Sequence, residues 1–141
     1  MTRVEVENEL LRLLDAELPQ GLKATSMPVR EEDRAKTPVG TAAVWVTYAA
    51  GRYDALTGGF VQPGTWVWAI TVVARNYRSP KDRADAALDL LETVESAVVG
   101  KIVNDQYIVR VSDSLIDPPA PGLLGYELLV ALDTHFRRVG E

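Results

Sequence analysis

The stretch from Trp66 to Tyr77, WVWAITVVARNY, constrains the fold of this chain more than any other. Trp66, Trp68, Ile70, Val72 and Ala74 alternate with Val67, Ala69, Thr71, Val73 and Arg75, which is the two-residue period of an extended strand. Both sets are largely apolar, so neither side of the strand belongs in water. The pattern calls for a central strand covered on both faces. The rest of the chain then has to supply neighbouring strands and covering elements. Its 141 residues suit one domain spanning 1–141. A chain of that size buries roughly two thirds of the surface its unfolded form exposes, enough for a core without cross-links.

The flanking segments read accordingly. Arg3 to Leu18 is an amphipathic helix with Val4, Leu10, Leu11, Leu14 and Leu18 approximating one face, stopped by Pro19 and Gly21. Leu22 to Met27 reads as a short strand, followed by the polar, proline-bounded surface loop PVREEDRAKTP. Ala42 to Ala49 is rich in β-branched and aromatic residues and reads as a second strand. From Gly51 to Thr65, the pairs Gly58-Gly59 and Pro63-Gly64 punctuate turns, so a long connection or a projecting hairpin is expected there. Ser79-Pro80-Lys81-Asp82 has the form of a helix start: Ser79 as N-cap, Pro80 at the first helical position, and Asp82 near the positive end of the dipole. The stripe Ala84, Ala87, Leu88, Leu91, Val94 and Val98 follows, and Gly100 closes the helix as a left-handed cap. Tyr107 to Val111 reads as a strand, and Asp117-Pro118-Pro119-Ala120-Pro121-Gly122 as a rigid loop barred from a central sheet. Leu124 to Arg137 is a long strand with Leu124, Tyr126, Leu128, Val130, Leu132, Thr134 and Phe136 on one face. The expected class is α+β: a mixed or antiparallel sheet of about four to five strands, with two helices packed on one face.

Composition removes several kinds of chemistry. The absence of cysteine excludes thiolate nucleophiles, disulfides and cysteine-ligated metals. A net charge of −5 argues against a phosphate-backbone binder, and Arg75, Arg78, Lys81 and Arg83 are diluted by Asp82 and Asp85 into a solvated junction. Glu5, Glu7 and Glu9 interrupt the N-terminus where a secretory signal needs an apolar run, and no stretch approaches the roughly 20 apolar residues of a membrane helix. Asp85, Asp89, Glu92 and Glu95 have the spacing of a solvated helix face, and His135 reads as a surface histidine. The glycines match no phosphate loop, and no GxSxG elbow occurs. Trp45, Trp66 and Trp68 read as packing residues. No catalytic residue, cofactor or metal is assigned, and neither membrane nor sequence-specific nucleic-acid binding is expected.

One order of elements is nonetheless familiar. An acidic N-terminal helix is followed by Thr37-Pro38 leading into Ala43-Val44-Trp45-Val46-Thr47-Tyr48, then by a strand ending Arg75-Asn76-Tyr77. Leu88-Asp89-Leu90-Leu91 on a helix ending at Gly100 and a C-terminal strand with Tyr126 complete it. In this order the chain resembles the small tail proteins of Mu-like phages and prophages, and beyond them the phage tail-terminator and tail-completion proteins. The resemblance implies a structural protein, not an enzyme, present in the bacterial host cytoplasm during assembly and then in the virion tail. It implies a ring, commonly hexameric, that caps the tail tube and provides the surface for head–tail joining. Its partners would be copies of itself, the tail tube protein and a head-side connector protein. The acidic balance suits a conduit through which DNA passes without sticking.

Within that role the expected subunit or tube contacts are Arg52, Tyr53, Phe60 and Gln62. Tyr53 and Phe60 are large apolar groups in a glycine-rich stretch, which calls for a cover: either a partner or the chain's own core. Two other readings stay open. One is another neck or baseplate ring component of the same fold. The other is a small-ligand-binding or enzymatic α+β domain with a pocket under the Gly51 to Thr65 loop.

Overall fold

Strand β3 (Val61–Arg75) lies at the centre of a five-stranded sheet in the computed structural model, which describes residues 1–27, 42–56, 61–75, 80–117 and 121–137. The sheet runs β1 (Ala24–Ser26), β2 (Ala42–Tyr53), β3, β7 (Leu123–Arg137), β6 (Val109–Ile116). The β1–β2 pair is parallel and all others are antiparallel, so the sheet is mixed. Every residue of β3 from Trp66 to Ala74 is buried, as its doubly apolar pattern requires. Helices α1 (Arg3–Glu17) and α2 (Pro80–Val98) touch each other and cover one face. Val6, Leu10 and Leu14 of α1 and Leu91, Val94 and Val98 of α2 meet Val46, Trp68, Ile70, Leu128 and Val130 there. Each such side chain taken fully out of water contributes about 1.5–3 kcal/mol. Trp45, Ala69 and Val73 are buried on the opposite face.

Both helices are rotated slightly from the expected phase. Val4 is 66% exposed and Val6 takes its place in the core, because the two side chains point about 200° apart around a helix of 3.6 residues per turn. Leu88 is 42% exposed, about 100° beyond Ala87, while Leu90 and Ala97 join the buried stripe. Helix α1 begins with a capping box: the Glu5 amide donates to Thr2 Oγ1 (3.2 Å) and the Thr2 amide to Glu5 Oε1 (3.0 Å). Gly100 has φ +80° after α2, the expected left-handed cap, and its N–H donates to Ile108 O (2.8 Å). The Ser79 cap, the PVREEDRAKTP loop and Pro118 to Ala120 lie outside the described residues.

Two segments differ from the sequence expectation. The chain from Lys101 onward makes a small hairpin of β4 (Ile102–Val103) and β5 (Gln106–Tyr107). Asn104 and Asp105, at φ 52° and 62°, form its two-residue turn; both being left-handed is the signature of type I′. The expected Tyr107 to Val111 strand is divided at buried Ile108, and β6 runs on to Ile116. The second difference is larger. Pro63-Gly64 was expected to punctuate a turn in a long connection or projecting hairpin, yet β2 continues to Tyr53 and β3 starts at Val61, so both residues lie within β3. Pro63 is tolerated because its carbonyl accepts from Asp54 N (3.0 Å), one residue beyond the end of β2. Its missing N–H therefore faces the side where the ladder has already ended.

Candidate functional site

The described parts of the Gly51 to Thr65 segment pair as the two arms of the expected hairpin. Gly51–Tyr53 of β2 pairs with Gly64–Trp66 of β3, and Val61–Trp66 pairs with Leu132–Arg137 of β7. These three strand ends form a tongue continuing the sheet. Because β6 begins at Val109 opposite Ala131, this part of β7 pairs in the sheet on one side only.

The tongue is organised around Tyr53, whose hydroxyl accepts from Arg3 Nη2 (2.8 Å) and Trp66 Nε1 (3.3 Å). Arg3 itself, in the first turn of α1, lies 4.8 Å from the Trp66 ring centroid and 5.0 Å from that of Tyr48. Tyr48 in turn meets Trp68 edge-on, with centroids 5.3 Å apart and planes at 71°. Two glycines make room for this arrangement. A Cβ on Gly51 would strike the Tyr53 and Tyr48 hydroxyls, and one on Gly64 would strike the Tyr53 ring and come within 2.9 Å of Arg52 O. Hydrogen bonding from Tyr48, then from Trp66 and Arg3, holds the Tyr53 phenol below the usual tyrosine range. The same tyrosines raise the Arg3 guanidinium above its ordinary value.

The expected contact residues fare differently. Tyr53 folds back onto the tongue and still exposes 50% of its surface. Gln62 donates from Nε2 to Asp54 O (2.8 Å) and so ties the loop following β2 to β3. Arg52 is exposed and has no side-chain partner among the described residues. Phe60 lies outside the described residues. The structure adds two residues that sequence reasoning did not single out: Arg3, and Phe136, which is 67% exposed and pairs with Gln62. Phe136 was legible in principle as a large apolar group at a charged chain end; Arg3 had no comparable signal. Arg3, Tyr53, Gln62, Trp66 and Phe136 line a cleft of about 440 Å³ at this end of the fold, together with Met1, Thr134 and His135. Its chemistry is one cation held on aromatic faces plus hydrogen-bonding groups.

Trp45, Trp66 and Trp68 are all buried within the chain. His135 is exposed, and Asp133 accepts from Thr65 Oγ1 (3.3 Å). Of the α2 carboxylates, Asp85 pairs with Lys81 (2.8 Å) and Glu95 with Arg110 (2.7 Å). Among the described residues no group of three or more His, Asp or Glu side chains is placed to hold a metal ion, and no helix is long and apolar enough to cross a membrane.

No curated protein matches the chain. Among solved structures, the sheath/tube terminator of an extracellular contractile injection system, in its extended state, aligns with 16% identity and a TM-score of 0.43. That alignment covers 99% of this chain and 59% of the terminator, so the chain spans about three fifths of that protein's length. A family model described as Gp37 protein matches residues 10–136, from the middle of α1 to the tongue end of β7. The chain belongs to the Gp37 protein family.

Proposed function

We propose that this chain is a structural, non-enzymatic tail protein of a phage or prophage and acts as the tail terminator. As one domain it would form a homo-oligomeric ring, hexameric in the implied architecture, that caps the tail tube and offers a surface to the head-side connector. The observation that supports this best is the gathering of large exposed hydrophobic groups at the tongue. Met1, Tyr53 and Phe136 line its cleft, and Leu56 lies three residues past Tyr53; each is at least half exposed. Exposed apolar groups gathered around a cleft suit a surface that another protein covers. The tongue is also stiff, being three paired strands with Tyr53 pinned by two hydrogen bonds, so it meets a partner with little ordering cost. Tyr53, Arg52, Gln62 and Phe60 are the tube or subunit contacts in this reading.

The test is tube growth. Tail tube protein polymerised with the purified chain should give shorter tubes bearing extra density at one end by negative stain. Chains lacking residues 55–60, or carrying Tyr53→Ala with Phe136→Ala, should keep a folded circular-dichroism spectrum and lose the effect. Tubes of unchanged length distribution in the presence of the wild-type chain would refute the assignment. The cleft itself favours a second reading, a small anionic aromatic ligand held by Arg3 and Trp66; a monomer retaining such a ligand through gel filtration, with no effect on tubes, would establish it instead.

A further inference from the structure

Among the described residues the sheet is open on both of its sides, and the two openings are complementary. On one side β6 is the terminal strand, exposed from Val109 to Leu115, with no Lys or Pro to guard it. On the other side β1 covers β2 only at Val44–Val46, so from Thr47 to Tyr53 no described strand pairs with the outer side of β2. Unpaired strand edges of this kind template pairing with another strand. Each edge carries a bulge, between Tyr48 and Ala50 and between Arg110 and Ser112, and the regular stretches beyond them are Ala50–Tyr53 and Ser112–Ile116.

We propose that Ser112–Ile116 of one copy pairs antiparallel with Ala50–Tyr53 of the next, making one continuous sheet through the ring. This rests on the ring-forming reading above and names the surface that closes the ring. Strand direction fits, because β6 and β2 run oppositely in the sheet and a rotation about a ring axis preserves that relation. Space fits as well: with Asp113 opposite Tyr53, Ile116 falls opposite Ala50, short of Val46, where β1 begins to cover the edge.

The charges also agree. Register places Asp113 beside Leu128 on the helix-covered face, the face on which Tyr53 carries Arg3. Asp113 is exposed with no partner among the described residues, and Arg3 has aromatic partners but no carboxylate there. Leu115, more than half exposed on the same face, meets Gly51 in this register. The pairing joins the row of Leu128 to the row of Thr134, six residues along β7. That is a stagger of about 20 Å across a four-strand repeat (β2, β3, β7, β6) about 19 Å wide, which tilts the strands by about 45°, at the upper end of the range of closed sheets.

Charge exchange tests the contact in the full chain. Asp113→Arg places two cations together at every junction and Arg3→Asp places two carboxylates, so each variant alone should sediment as a monomer with a native circular-dichroism spectrum. In a 1:1 mixture every junction regains one cation and one carboxylate, and light scattering should return the wild-type mass. Either variant assembling like the wild type would overturn the proposal. So would a mixture that stays monomeric, or a wild-type chain that is monomeric at its highest attainable concentration. None of those outcomes touches the tube-length assay, so edge pairing and the terminator role fail separately.

Discussion

Gly125 is where a single methyl group decides between two opposing effects. It lies in β7 between Val73 of β3 and Ile116 of β6, on the face away from the helices. A Cβ built there stands 2.7 Å from the Val72 carbonyl oxygen, 2.7 Å from Val73 Cγ1 and 3.0 Å from Ile116 Cδ1. Replacing a strand glycine by alanine recovers about 0.5–1 kcal/mol of backbone entropy when the site has room. Overpacking a fixed core costs about 1–3 kcal/mol. The second effect wins here because one of the struck atoms is a backbone oxygen in the β3–β7 ladder and cannot rotate away. Gly125→Ala is therefore expected to lose about 0.5–2 kcal/mol net, or about 2–8 °C in melting temperature for a chain of this length. Guanidinium and thermal melts followed by tryptophan fluorescence measure it. Val73→Ala removes one of the two side-chain clashes, so the double variant should fall short of the summed single losses by about 0.5–1 kcal/mol. A Gly125→Ala chain as stable as the wild type, or more stable, would refute the argument that close approach of β3 dictates this glycine.

Two further outcomes follow from local geometry. Asp105→Val puts a β-branched residue at φ 62° in the β4–β5 turn and should cost about 1–2 kcal/mol by denaturant melt, whereas Asp105→Gly should not destabilise. Hydrogen bonds from the Thr2 amide and hydroxyl hold the Glu5 carboxyl below the usual carboxylate range. A group depressed in the native state gives its full stabilisation above the ordinary carboxylate value and loses it as pH falls through the native one. Glu5→Gln should thus lower the melting temperature at neutral pH and flatten its fall on the acid side; parallel curves for the two proteins would count against the capping box as the cause.

How much of this was readable beforehand depends on whether the deciding physics was local. The doubly apolar alternation of Trp66 to Ala74 demanded a central, twice-covered strand, and only burial on both faces can satisfy it. Gly100 and the one-sided Leu124 to Phe136 pattern likewise carry their structural reason within a few residues. The tongue was harder, because Gly51, Pro63 and Gly64 are turn signals in one dimension and packing devices in three. Gly51 and Gly64 are there to admit the Tyr53 ring, and Pro63 sits where the missing donor has no strand to serve. The extent of β6 was hidden for the opposite reason: Ser112, Asp113 and Ser114 lack a strand-like composition, and their pairing is imposed by β7. The phase of α1, read from Val4 where Val6 is the buried residue, depended on which side chains of β2 and β3 the helix would meet.

The same distinction separates the site residues. Tyr53 could be chosen from composition, as a large apolar group in a glycine-rich stretch. Arg3 could not, since it is fifty residues away from Tyr53 in sequence, among the charges of an amphipathic helix. Its role arises only when the capping box fixes the first turn of α1 over the tongue and brings the guanidinium onto Tyr48 and Trp66. A guanidinium held on two aromatic faces and by the Tyr53 hydroxyl, with no carboxylate partner among the described residues, is positioned and open to a carboxylate arriving from outside. The Arg3→Asp half of the charge exchange therefore probes fold and assembly together, and the mixture with Asp113→Arg is what separates them: recovered mass in the mixture requires both chains to be folded and the contact to be electrostatic.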